Sequence, residues 1–237
     1  GDLFNFKIDK KNGKLKDYYY RDELVLLEGP TPNFWRAPIN NDGWYDWAWR
    51  NVGESAYVTN IETSVNDKDQ NVIKANLQFS NMGGISAAFT YTIDGSGAVT
   101  VDVDYELAGA HIDNKRLLRV GTDFIFPEGF ENVYWLGEGG YETMNDRCSS
   151  AIEGAYSTTV DRMFYPYHET QDTGNVTGVK WFTLTDDYKK AAIAIAAVDD
   201  FEASALHYTA DNLTDAKHPY DLERMDEAYV SINKISS

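Results

Sequence analysis

The sequence holds one cysteine, Cys148, among 237 residues. A single thiol excludes an internal disulfide framework and a cysteine-built structural zinc site. Cations are also scarce: 21 Lys and Arg stand against 38 Asp and Glu, a formal net charge of -17. A duplex-binding surface needs clustered Lys and Arg to displace counterions, and no such cluster occurs, so neither nucleic acid nor an anionic membrane is an expected partner. The longest apolar runs, such as 191–198, fall well short of the roughly 20 residues a membrane-spanning helix needs. No signal peptide is expected, and the compartment stays open between cytoplasm and secretion. Low-complexity tracts, solenoid-period repeats and Gly/Ser/Pro-rich linkers are missing, so a single domain over residues 1–237 is expected.

What the sequence does have is rings and alternation. Aromatic residues make up 14%, with 16 Tyr and 6 Trp. Such residues suit strands, and their faces also stack on the apolar C–H faces of sugars. Phe4, Phe6 and Ile8 alternate with polar residues before an Asn12-Gly13 turn. The clearest hairpin joins 85–93 through Asp94-Gly95-Ser96-Gly97 to Val99, Val101, Val103 and Tyr105, while Thr100, Asp102, Asp104 and Glu106 take the other face. Further strands are predicted at 72–79, 117–126, 133–136, 179–184, 191–198, 203–208 and 228–235. Helical signals are weak: one or two turns at 45–52 and a short capped helix at 209–217, stopped by Pro219. The fold class read from this pattern is all-β, a large antiparallel β-sandwich.

Four stretches depart from simple alternation. The first is Asn33-Phe34-Trp35-Arg36-Ala37-Pro38-Ile39-Asn40-Asn41-Asp42-Gly43, an ordered polar loop by its turn-forming residues. The second runs Trp135-Leu136-Gly137-Glu138-Gly139-Gly140-Tyr141-Glu142-Thr143-Met144-Asn145-Asp146-Arg147. Its glycines lack the Gly-Lys-Ser/Thr or G-x-G-x-x-G register of a phosphate loop. The third is Phe164-Tyr165-Pro166-Tyr167 with Gln171-Asp172-Thr173-Gly174-Asn175, and the fourth is Ala205-Leu206-His207-Tyr208 with Ala216-Lys217-His218-Pro219.

In order and spacing these blocks resemble the last domain of glycoside hydrolase family 2 β-galactosidases, a region that is a separate small subunit in some lactic-acid bacteria. The resemblance runs from Phe4 to about Ile235. It departs from the family pattern at Asn40 (usually Asp), Gly140 (Pro), Thr143 (Asn) and Asp172-Thr173 (Glu-Asn). It implies a supersandwich of the galactose-mutarotase type, and a non-catalytic role supporting an upstream barrel and lining the galactose pocket. The implied partners are the upstream catalytic domains or a large subunit, and a galactoside substrate. Asn40, Asn41, Asp42 and Gly43 then fall in a mobile loop beside the substrate, with Trp44 and Trp47 as stacking groups. Arg36, Pro38, Trp135, Gly137, Glu142, Asp146, Arg147 and His207 are structural residues of the motifs. A family G-G-D-x-S-W segment that forms a substrate platform has no counterpart here, so a chain truncated at its C-terminus, with an exposed sheet edge, is expected.

Retaining hydrolysis needs two carboxyl groups roughly 5–5.5 Å apart. The resemblance places them in the barrel, outside this chain. Glu138 and Glu142 lie four apart in a Gly-rich loop with no apolar pocket evident to raise either pKa. The four histidines show no ligand spacing, so a structural His207 and no metal or cofactor in this chain are expected; magnesium and sodium, where the parent enzyme uses them, belong to other domains. A freestanding carbohydrate-binding module and a purely structural scaffold are the alternative readings.

Overall fold

The computed structural model describes residues 3–42, 47–110 and 117–236. It is built from thirteen strands: β1 (Phe4–Ile8), β2 (Leu15–Tyr20), β3 (Glu23–Asn33), β4 (Ala56–Val65), β5 (Asn71–Phe79), β6 (Ser86–Ile93), β7 (Val99–Glu106), β8 (Arg119–Phe126), β9 (Asn132–Gly139), β10 (Ile152–Thr159), β11 (Val176–Asp186), β12 (Ala191–Leu206) and β13 (Ala228–Ser236). Nine of them form an antiparallel sheet in the order β1-β2-β3-β8-β13-β12-β11-β9-β10, and β4-β5-β6-β7 form a four-stranded meander. The all-β sandwich expected from the alternation is what the chain adopts.

The hairpin read from the sequence is β6 and β7, in register from Ser86↔Glu106 to Ile93↔Val99. On β6, Ala87, Phe89, Tyr91 and Ile93 are buried against the large sheet. On β7 the four valine and tyrosine positions are half-buried and the four polar ones exposed. At the Asn12-Gly13 turn, Gly13 has φ +75, and a Cβ there would sit 3.2 Å from Ala75 and Leu77 of β5. The turn therefore needs glycine both for its left-handed backbone and for its seat on the small sheet. Tyrosine hydroxyls join the layers: Tyr91 donates to the Gly13 carbonyl at 2.8 Å, Tyr105 to that of Gly121 at 2.8 Å, and Tyr18 to that of Gly97.

Two predicted strands, 191–198 and 203–208, are one 16-residue strand, β12. The residues between the two predicted strands are extended as well, but they form an irregularity in the pairing: Trp181 faces Ala196 and Val179 faces Phe201. β12 pairs with β11 from Ala191 to Ala196 and again at Phe201 and Ala203, with a shift of register across 197–200, and with β13 from Glu202 to Leu206. Strands β3, β4 and β10 escape the sequence reading because their apolar residues do not alternate cleanly. The capped helix expected near 209–217 is α2 (Ala210–Asp215), after a four-residue α1 (Val160–Met163); the Thr209 hydroxyl accepts from the Asn212 N–H at 3.1 Å. Such a cap satisfies one of the donors orphaned at a helix start.

Asp123 of β8 fastens three neighbouring strands. It is buried, and its carboxylate accepts from Asn33 of β3 at 2.9 Å and from Ser231 and Tyr229 of β13. Burial pushes its pKa above the ordinary 3.8, against the pull of these donors and of Arg119. Folding therefore raises this pKa, so the carboxyl's contribution to stability is full below 3.8 and is lost as pH rises through the folded value. Asp123→Asn removes that dependence. Urea unfolding between about pH 4 and about pH 7 should show the stability of the native chain relative to this variant falling as pH rises.

Candidate functional site

The loop after β3 is set by a buried ion pair. Arg36 and Asp42 are 2% and 4% exposed in their side chains. They pair bidentately, Nη1 to Oδ2 at 2.7 Å and Nη2 to Oδ1 at 3.0 Å. The same Asp42 carboxylate accepts the Ile39 N–H at 2.7 Å, and the Asp42 N–H returns to the Ile39 carbonyl at 2.9 Å. Pro38 begins this turn and donates nothing to it, as its ring nitrogen requires. Asn40 and Asn41 are thereby held at the exposed tip.

A second buried pair lies behind it. Arg119, at the start of β8, donates to Asp172 at 2.8 Å, with both side chains within 5% of full burial. The Asp172 N–H in turn donates to the Ala37 carbonyl at 3.3 Å, which ties the third sequence block to the first. Burial pushes the Asp172 carboxyl up, while Arg119 and Arg36 pull it down.

Glu142 joins the second block to the third. It accepts from the Tyr167 hydroxyl at 2.6 Å, from the Gly174 N–H at 2.5 Å and from Arg147, which also reaches the Tyr167 hydroxyl at 3.2 Å. Gly174 has φ +74, and a Cβ there would stand 2.8 Å from the Met163 carbonyl, so the residue that presents this N–H has to be glycine. Burial and the neighbouring Glu142 both raise the Tyr167 phenol.

These links enclose a polar depression of about 250 Å³ lined by Ile39, Asn40, Asn41, Met144, Asp146, Arg147, Tyr167 and Gln171. Across it, Asn41 donates to Asp146 at 3.1 Å and the Asn40 N–H donates to Gln171 at 3.4 Å. Three sequence blocks far apart in the chain thus meet in one place. Asp146 is the single carboxylate among the described residues that line it. Glu138 is turned elsewhere, accepting from Thr177 at 2.5 Å.

Not every predicted residue gathers there. Gly43 and Trp44 lie outside the described residues. Trp47, half exposed, packs against Trp35 with ring centroids 5.1 Å apart and beneath the Arg50 guanidinium at 5.9 Å, and it is not part of the depression's lining. Trp135 is buried against Tyr156 at 5.4 Å, and Gly137 is where β9 passes so close to β11 that a Cβ would meet the Val179 Cα at 2.9 Å. His207 sits among Glu131, Asp161 and Glu227, away from this lining, and His218 stacks instead on His168 and Tyr220.

A family profile described as beta galactosidase small chain matches residues 1–236. The chain belongs to this family. Among curated relatives, a β-galactosidase from Streptococcus thermophilus is 25% identical over 98% of the chain. One from Psychromonas ingrahamii is 28% identical over 98%, and one from Lactobacillus delbrueckii subsp. bulgaricus 30% over 94%. The chain spans between 22% and 23% of the length of these three relatives. The family expectation drawn from the four blocks is therefore met.

The two buried pairs make the loop costly to disturb. Asp42→Ala takes both charge-assisted hydrogen bonds and the facing carboxylate away from the buried Arg36 guanidinium, a loss of about 3–5 kcal/mol. By contrast, Lys7→Ala breaks only the exposed pair with Asp17 and should leave the unfolding midpoint nearly unmoved. Chemical denaturation of the two variants side by side checks the contrast.

Proposed function

We propose that this chain is the small-chain region of a β-galactosidase, which supports an upstream catalytic barrel and supplies one wall of the galactose pocket without performing the chemistry itself. The observation that carries the reading is the polar depression beside Asn40 and Asn41. Amide groups and a carboxylate on an exposed tip, fixed from behind by buried ion pairs, suit hydrogen bonding to sugar hydroxyls. Retaining hydrolysis uses two carboxyl groups about 5–5.5 Å apart. With Asp146 the single acid in the described lining, the depression supports a role in positioning over one in bond cleavage. The names of the relatives and the small share of their length that this chain spans fit a region that works with a larger partner.

In this reading Asn40, Asn41 and Asp146 contact substrate or shape its surroundings, and Asp42, Arg36, Glu142 and Arg147 act as positioning residues. Trp47 contributes through Trp35 packing and not as a ring exposed to the depression. The chain alone should give no turnover of a chromogenic β-galactoside, and turnover should appear or rise when it is combined with its large partner.

In the complete enzyme, Asn41→Ala should raise KM severalfold with little change in kcat or in thermal stability. That split marks loss of uniform substrate binding. Unchanged KM and kcat would place the depression in a purely structural scaffold, and sugar binding tighter than millimolar by the chain alone would favour a freestanding binding module.

A further inference from the structure

Away from the depression, three potential ligand groups from distant parts of the sequence converge. Glu131 lies in the turn before β9, Asp161 in α1, and His207 directly after β12. Among the described residues this is the one place where three His, Cys, Asp or Glu groups come within 4.8 Å of one another.

The histidine is oriented as a ligand. Its ring is 1% exposed, and Nδ1 lies 2.9 Å from the Glu227 backbone carbonyl. A carbonyl can only accept, so Nδ1 carries the proton. In the neutral ring Nε2 is then a lone pair, aimed at Glu131 Oε2 at 3.1 Å and Asp161 Oδ1 at 3.7 Å. A backbone carbonyl holding the far nitrogen is the usual second partner of a metal-bound imidazole. A lone pair facing two carboxylates also demands a positive charge between them. Arg224 supplies part of it from outside, 3.3 Å from Asp161, and is itself 3.9 Å from Asp226.

The spacing matches a small divalent cation. Zinc sits about 2.0–2.2 Å from nitrogen and oxygen ligands, which puts tetrahedral ligand atoms about 3.4 Å apart. The two observed separations from Nε2 bracket that value. Glu131 is 37% and Asp161 67% exposed in their side chains. They therefore have freedom to close on an ion, and the exposed side gives it an entry path and a position for water. Imidazole with two carboxylates selects a borderline transition metal over magnesium or calcium.

We propose that Glu131, Asp161 and His207 form a binding site for a divalent transition-metal ion, zinc by preference, that clamps α1 and the turn before β9 onto the end of β12. α1 and the turn before β9 are already joined by the Val160 N–H, which donates to the Glu131 carbonyl at 2.9 Å, and the ion would tie both of them to the end of β12. Its role is structural: the ion replaces the missing charge beside His207.

The test uses the chain stripped of metal with a chelator, then titrated with zinc chloride by calorimetry and followed by thermal unfolding. Saturable one-to-one binding with a rising Tm is expected, since a ligand of the folded state alone stabilises it. Glu131→Gln and Asp161→Asn should each weaken binding tenfold or more, and both leave the buried ring in place, so a folding failure of a His207 variant does not obscure the result. Arg224→Gln should tighten binding severalfold by removing a competing cation. Absence of saturable binding would overturn the proposal, as would binding of undiminished affinity in the Glu131→Gln/Asp161→Asn double variant. Stabilisation that grows on acidification without any response to zinc would also overturn it, identifying a protonated imidazole between the two acids.

Discussion

Arg36 and Asp42 stand six residues apart, both almost sealed from solvent, and their two parallel hydrogen bonds have to offset the desolvation of two full charges. They manage it because the remaining acceptor capacity is used as well: the Asp42 carboxylate also takes the Ile39 N–H and so closes the turn that carries Asn40 and Asn41. Without the pair, those residues keep only the exposed hydrogen bonds from Asn41 to Asp146 and from the Asn40 N–H to Gln171. The Arg119–Asp172 pair extends the same logic one layer deeper, since the Asp172 backbone reaches back to Ala37. The depression is thus polar at its surface and ionic behind it, an arrangement that keeps groups on a loop nearly as fixed as groups on a strand.

Much of this could be read from the chain before any fold was known, and the reason is physical in each case. The β6–β7 hairpin was legible because one face of it meets the core and the other water, so the period of two is written into Val99 to Glu106. The short helix α2 was legible because Thr209 caps its start, although it ends at Asp215, short of Pro219, which opens a 3-10 turn of its own. The four blocks were legible as blocks because they break alternation, and three of them meet in space. Arg119 was not legible: a buried cation looks like any surface arginine until its partner, 53 positions later, is known to face it. The length of β12 was missed for the related reason that two aspartates on an exposed edge read as a loop.

His207 shows what spacing along the chain leaves out. Eleven positions from His218, it offers no ligand pattern along the chain, and the two rings end up in different neighbourhoods. Its companions come from a turn 76 residues earlier and from a helix of four residues. Convergence of this kind is a property of the topology, which places the end of β12 beside the turn that leads into β9.

The tyrosine hydroxyls that bridge the two layers have a consequence at the other end of the pH scale from the buried acids. Tyr18, Tyr91 and Tyr105 each carry a phenol whose ionisation is pushed upward by burial, and each donates its proton to a carbonyl across the sandwich. A phenolate has no proton to give and would set its full negative charge against the partial negative charge of the carbonyl oxygen. Alkali therefore attacks the seam between the sheets. The rings that rivet the layers together would also report their parting, because the ultraviolet absorption of tyrosine changes when its hydroxyl ionises.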